Sequence, residues 1–166
     1  MLFFLLVVLI ISSIWGNGGS EGDRVNINGT SVVLYSDEVP VSLETIGIDA
    51  KGAYRTQKKE ERKSPFAEYI HVYDQSFGGE ETGLEYLSYS LFYSPYSLVR
   101  SIVENEIFGE AAVSDNDLSS KLGVESVEIS TVSGKLLIKG KDSLLTLSSS
   151  KVLSEKELGI ITSLLK

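Results

Sequence analysis

The sequence predicts an α+β fold: an antiparallel β-sheet with helices packed on one face, preceded by a short N-terminal membrane segment. Three observations lead there. Strand-like runs follow one another through short polar turns, as antiparallel neighbours do, rather than through long crossovers. Well-capped helical runs are inserted between and after them. The first fifteen residues, MLFFLLVVLIISSIW, carry no charged side chain, which marks a membrane or export signal rather than the start of a water-soluble domain.

That leading segment, 1–15, reads as an uncleaved anchor. As a helix it spans roughly 22 Å, short of the ~30 Å hydrocarbon core, which suits a signal peptide or the tail of a longer spanning helix in a multi-pass protein. Against a signal peptide, no Lys or Arg precedes Arg24, and the small-x-small option Gly16-Asn17-Gly18 sits behind the bulky Trp15. Trp15 is a headgroup-level residue, and 16–24 is a polar, glycine-rich linker. The flank is acidic at Glu21 and Asp23, so the domain, 25–166, is expected on the extracytoplasmic side; secretion is the alternative.

Within the domain, 24–35 reads as a hairpin around Asn28-Gly29, a pair that tolerates positive φ. Pro40 bars a central strand, and 42–46 reads as one helical turn closed by Gly47. The charged run 53–63 (YRTQKKEERK) has polar residues on both faces and belongs at a sheet edge. Runs 66–74 and 84–93 are rich in aromatic and β-branched residues, the strongest strand signals. Ser94-Pro95 opens a helix that Gly109 closes, with Leu98, Val99, Ile102, Val103 and Ile107 as its buried stripe and Glu104 on the solvent side. A short helix over 115–122 ends at Gly123. Strands follow at 124–132, 135–139 and 144–148. The last helix is capped by Ser154 with Glu157 three residues on, and Leu158, Ile161, Leu164 and Leu165 form its apolar face.

Composition narrows the function. The chain of 166 residues has net charge −8, which repels nucleic-acid phosphate and anionic lipid headgroups, so no nucleic-acid partner is expected. It has no cysteine and a single histidine, His71, which removes disulfides, thiolate metal sites, thiol nucleophiles and any site needing two imidazoles. Asp115-Asn116-Asp117 lacks the glycine and glutamate of a calcium loop and reads as a helix cap. No dinucleotide, phosphate-loop or nucleophile-elbow motif is present. No metal, cofactor or catalytic residue is expected.

The remaining candidate is a tyrosine face. If 75–83 closes a symmetric hairpin, Tyr69 lies opposite Tyr89 and His71 opposite Leu87. Tyr69, His71, Tyr73 and Tyr89 then share a face with Ala67, Leu87 and Leu91, while Phe66, Ile70, Val72, Tyr86 and Phe92 meet the helices. Rows of tyrosine grip peptides or stack on sugars because each ring has an apolar body and a polar tip. The same tyrosines are also ordinary residues of a half-buried strand.

The run from Tyr35 to Glu44 (YSDEVPVSLE), followed by Ile46-Gly47-Ile48, resembles a recurring acidic-Leu-Pro-Leu-Thr-Leu-Glu-Asp-Leu-Gly stretch, with Val39 and Val41 where leucines stand in that pattern. The run from Tyr86 to Ser94 and the helix after it are similar too. The resemblance is to extracytoplasmic C-terminal domains of multi-pass membrane proteins of low-GC Gram-positive bacteria. It implies a tether, an outward placement and an α+β fold, and it implies no catalytic residue. The expected function is a non-catalytic, membrane-tethered interaction or sensing domain with a protein or cell-envelope ligand. The alternative is a small surface enzyme or carbohydrate-binding module using the Tyr/His face.

Overall fold

The computed structural model describes residues 23–27, 30–34, 39–48, 54–77, 84–107 and 111–165. The expected anchor 1–15, residues 16–22, the Asn28-Gly29 turn and Gly109 lie outside them. Among the described residues no helix is long and apolar enough to cross a membrane.

The described residues form two sheets. β1 (Asp23–Ile27) and β2 (Thr30–Leu34) form the expected antiparallel hairpin, so Asp23 and Arg24 belong to a strand rather than to the linker. The larger sheet has seven strands: β3 (Tyr54–Lys63), β4 (Glu68–Phe77), β5 (Leu84–Tyr93), β6 (Ala112–Ser114), β7 (Ser126–Ser130), β8 (Leu136–Lys139) and β9 (Ser143–Ser149). Their order is β3-β4-β5-β9-β8-β7-β6, antiparallel throughout. Helix α1 (Ser97–Ile107) carries the chain from β5 to the far edge, and β6 to β9 then meander back to pair with β5. The charged β3 is an edge strand, as its composition predicts. Its charges neutralise one another along each face, Lys58 with Glu60 at 2.5 Å and Lys59 with Glu61 at 3.2 Å.

One sheet face holds the main core. Val72, Leu87, Tyr89, Ile138, Leu145 and Leu147 point into it. They are covered by the turn at 43–47, by α2 (Asn116–Leu122) through Leu118 and Leu122, and by α3 (Glu155–Thr162) through Leu158 and Ile161. Val41, Leu43, Ile46 and Ile48 of the strap 39–48 are all buried, each contributing about 1.5–3 kcal/mol relative to exposure. Gly47 closes the turn at φ +76°, a conformation that favours glycine. Asp115 caps α2 through Leu118 N at 2.9 Å, and Gly123 ends it at φ +67°. Ser119 Oγ accepts from Val127 N at 2.8 Å, tying that helix to β7. Ser154 and Glu157 form the expected capping box on α3.

Helices do not all lie on one face. α1 packs on the other, where Val99 and Val103 meet Ala67, Phe92, Leu137 and Leu144. The cause is β9, whose adjacent Leu144 and Leu145 are both buried; neighbouring strand residues point to opposite faces, so both need cover. The helix phase also differs from expectation, because Glu104 is not on the solvent side but pairs with Lys139 at 2.6 Å. α1 starts at Ser97 rather than beside Ser94. Ser94 Oγ instead accepts from Tyr96 N and donates to the Phe66 carbonyl at 2.9 Å, joining two loops.

Candidate functional site

β4 and β5 pair with Tyr69 opposite Phe92, His71 opposite Ser90 and Tyr73 opposite Ser88. The strands run on to Phe77 and Leu84, so the register lies three residues from the symmetric one. An odd shift turns every β5 side chain to the other face. Tyr89 therefore leaves the expected set. It lies opposite Val72, 1 % exposed, inside the main core. Leu87 and Leu91 go with it, while Tyr86 and Phe92 move to the tyrosine side.

Tyr69, His71 and Tyr73 do share one face, and all three are half-buried. The register brings Lys58, Glu60 and Arg62 of β3 alongside them, and Ser88 and Ser90 of β5 on the other flank. The face is thus three rows: paired charges, aromatic and imidazole rings, then hydroxyls. Sequence reasoning missed Ser90, although the alternation Leu87-Ser88-Tyr89-Ser90-Leu91 marks its serines as one face and its apolar residues as the other.

Ser90 Oγ is the hub. His71 Nδ1 lies 2.9 Å from it and the Tyr69 hydroxyl 3.4 Å. Burial pushes the His71 imidazole below its ordinary pKa and nearby Lys58 pushes the same way, while Glu60 and a backbone hydrogen bond with Tyr89 oppose them. The ring is therefore neutral at pH 7. Glu60 is held by Lys58 and lies 3.9 Å from Arg62, which keeps its carboxylate ionised below the usual range.

On the reverse face, the same strands fasten the strap. The Tyr89 hydroxyl accepts from Val41 N at 3.1 Å and donates to Val41 O at 3.2 Å. Burial raises this phenol to about 12, so it remains a neutral donor. The Asp74 carboxylate, fully buried, accepts from Leu43 N (2.8 Å), Arg55 Nε (3.1 Å) and Nη2 (2.9 Å), and Gln57 Nε2 (3.1 Å). Burial alone would raise its pKa, but those donors outweigh it and hold the group below its usual range. Arg55 also reaches Glu44 of the strap at 2.7 Å. A small cavity of about 50 Å³, lined by Glu68, Ile70, Leu91, Tyr93, Ser143 and Leu164, lies away from the Tyr/His face.

Among the described residues no three His, Asp or Glu side chains form a group able to hold a metal ion. No family model matches the chain, and no curated protein or solved structure matches it either.

Proposed function

We propose that the chain is a non-catalytic domain, tethered to the extracytoplasmic side of a membrane through 1–15, that binds a protein or cell-envelope partner through the β3–β4–β5 face. The observation that carries this is the strip Tyr69, His71 and Tyr73, of which Tyr69 packs against the cluster of Ala67, Phe92, Leu137 and Leu144 beside Val99 and Val103 of α1, while His71 and Tyr73 lie outside that cluster. Rings and hydroxyls fixed on three paired strands form a pre-organised surface, so binding costs little ordering entropy. The flanking hydroxyls of Ser88 and Ser90 suit a polar partner that also offers apolar ridges to the rings.

The Ser90–His71 contact favours one rival reading, a serine nucleophile with a histidine base. Against it, β5 is paired on both sides, by β4 and β9. Its backbone N–H groups are consumed in those ladders and so supply no backbone oxyanion hole beside Ser90.

The test uses the full chain in its native membrane, with a photoreactive phenylalanine analogue at position 73 and, as control, at 152, where Val152 is 97 % exposed. A covalent adduct at 73 and not at 152, lost when Tyr69 is changed to Ser, supports the surface. Equal labelling at the two positions overturns it. Labelling of Ser90 by a fluorophosphonate would establish the rival.

A further inference from the structure

The strongest unassigned feature is one end of the sheet, where two Ser-Pro-aromatic segments stand side by side. Ser64-Pro65-Phe66 links β3 to β4, and Ser94-Pro95-Tyr96 follows β5. Each serine turns its own loop: Ser64 Oγ accepts from Phe66 N and Ala67 N, and Ser94 Oγ accepts from Tyr96 N. Ser94 then ties the two together through the Phe66 carbonyl, and its own N–H donates to Asp142 O of the β8–β9 turn at 2.9 Å. Arg100 bridges Ser94 O and Asp142 Oδ1. Three loops thus form one hydrogen-bonded tip.

That tip presents apolar surface outward. Phe66 is 45 % exposed, Tyr96 52 % and Leu98 52 %, with the rings of Phe66 and Tyr96 6.2 Å apart. Pro65 and Pro95 beside them are exposed too. The other exposed large hydrophobics among the described residues, Leu84, Val113, Val132 and Val152, lie elsewhere on the fold. Single exposed apolar residues are ordinary, whereas a cluster on a rigid tip marks an interaction surface.

Charge and chain length select the occupant. The tip segments 62–68, 94–100 and 140–142 hold Arg62, Lys63, Arg100 and Lys141; Lys63 pairs with Glu68, Arg100 with Asp142 and Arg62 approaches Glu60. This end is therefore close to neutral, with a small positive excess, on a chain whose net charge is −8, so it is spared the repulsion that the rest of the surface has for headgroup phosphate. Between the apolar segment 1–15 and the start of β1 at Asp23 lie seven residues, which reach at most about 25 Å when extended. A domain on so short a leash stays at the bilayer surface, and aromatic residues rimmed by Lys and Arg favour the headgroup region.

We infer that the tip formed by Phe66, Tyr96 and Leu98 docks onto the lipid headgroup interface, fixing the domain's orientation on the membrane that carries it. This rests on the tethered reading above. The Tyr69-His71-Tyr73 strip follows β4 away from the tip, so it then runs along the membrane normal and stays open to a partner from the side.

The chain has no cysteine, so Leu98→Cys and Val152→Cys each give a single labelling site. Val152 follows β9, whose other end adjoins the tip, roughly 20 Å of strand away. Each full-length variant, carrying an environment-sensitive fluorophore, is reconstituted in phosphatidylcholine vesicles with a minor share of phosphatidylglycerol. Quenching is read with a lipid that bears a spin label near the headgroup. Quenching should be several-fold stronger at 98 than at 152, and Phe66→Ser with Tyr96→Ser should bring it down to the level at 152 while the circular dichroism stays native. A chain that co-sediments with vesicles but is quenched equally at the two positions overturns the docking surface and leaves the tether standing. A chain that does not co-sediment overturns both. Disulfide-linked dimers through position 98, without quenching, would reassign the tip to a contact between two copies.

Discussion

Replacing Tyr89 by Phe should destabilise the domain far more than replacing Tyr69 by Phe, although each change removes one hydroxyl from a neighbouring strand. The Tyr89 hydroxyl serves both polar groups of Val41, at 3.1 and 3.2 Å, inside the core. Without it a buried N–H and a buried C=O lose that partner while the ring still fills its site. Each such group costs about 1–3 kcal/mol, so the change should cost about 2–4 kcal/mol after the strap relaxes. Tyr69 is half-buried and its hydroxyl reaches Ser90 at only 3.4 Å, while Ser90 keeps the shorter contact to His71. Its loss should cost less than about 0.5 kcal/mol. The assay is urea unfolding of the full chain in mild detergent. With an m-value of about 2 kcal/mol/M, Tyr89→Phe should lower the midpoint by about 1–2 M and Tyr69→Phe by a few tenths at most. Hydrogen exchange at the Val41 amide should quicken in the first variant alone. Equal midpoints would mean that the two tyrosines share a face, which would refute the β4–β5 register and with it the placement of the Tyr/His strip.

Val103→Ala should cost about 1–2 kcal/mol, since Val103 packs on Phe92, Leu137 and Leu144, whereas Glu104→Gln, which keeps Lys139 paired to Glu128, should cost less than about 1 kcal/mol; thermal melts separate them. Gly123→Ala should cost about 1 kcal/mol through backbone strain alone, because φ is +67° and nothing lies within 4 Å of the added methyl. The Asp74 pKa is lowered on folding, so its stabilisation is present above the ordinary carboxylate range and is lost as pH falls through the lower folded value; Asp74→Asn should flatten that acid limb of stability against pH while lowering the plateau. His71 is likewise lowered, but as a base: the unfolded chain takes up its proton first, so stability should decline as pH falls below about 6.5, and His71→Gln should remove that slope.

What the sequence made legible was governed by local chemistry. The Ser154/Glu157 box, the Asp115 cap, the Gly123 and Gly47 terminators and the self-neutralising edge strand are each specified within a few residues, and each stands where expected. What it hid was set by partners far along the chain. Ala112–Ser114 has no strand signal of its own and is a strand because β7 offers it an edge. The β4–β5 register depended on where a long loop starts, and an error of three residues exchanged the two faces of β5. Two signals were available for correction. Leu87 and Leu91 flank Tyr89 with serines between, which groups the tyrosine with the leucines, and Leu144-Leu145 requires cover on both sides of the sheet.

The alternation that removes Tyr89 from the surface also links surface and core. On β4, His71 and Tyr73 face the proposed binding side while Val72 and Asp74, their immediate neighbours, face the strap. On β5, Ser90 holds the imidazole on one side and Tyr89 holds Val41 on the other. The residues that position the outer rings are therefore fixed by strands anchored on their inner side by a buried carboxylate and a buried phenol. Such polar anchors add little net stability compared with apolar packing, but they accept only one alignment of strap and sheet. A strap slipped by one residue would leave Asp74 without the Leu43 amide and Tyr89 without Val41. The cost of that slip, several unsatisfied buried groups at once, fixes the strap onto β4 and β5, the strands whose other side carries Tyr69, His71, Tyr73 and Ser90. Loosening the inner latch should for that reason weaken binding at the outer face without touching any residue there, and Tyr89→Phe tests this when binding is measured on the fraction that circular dichroism shows to be folded: undiminished binding by that fraction would refute the coupling.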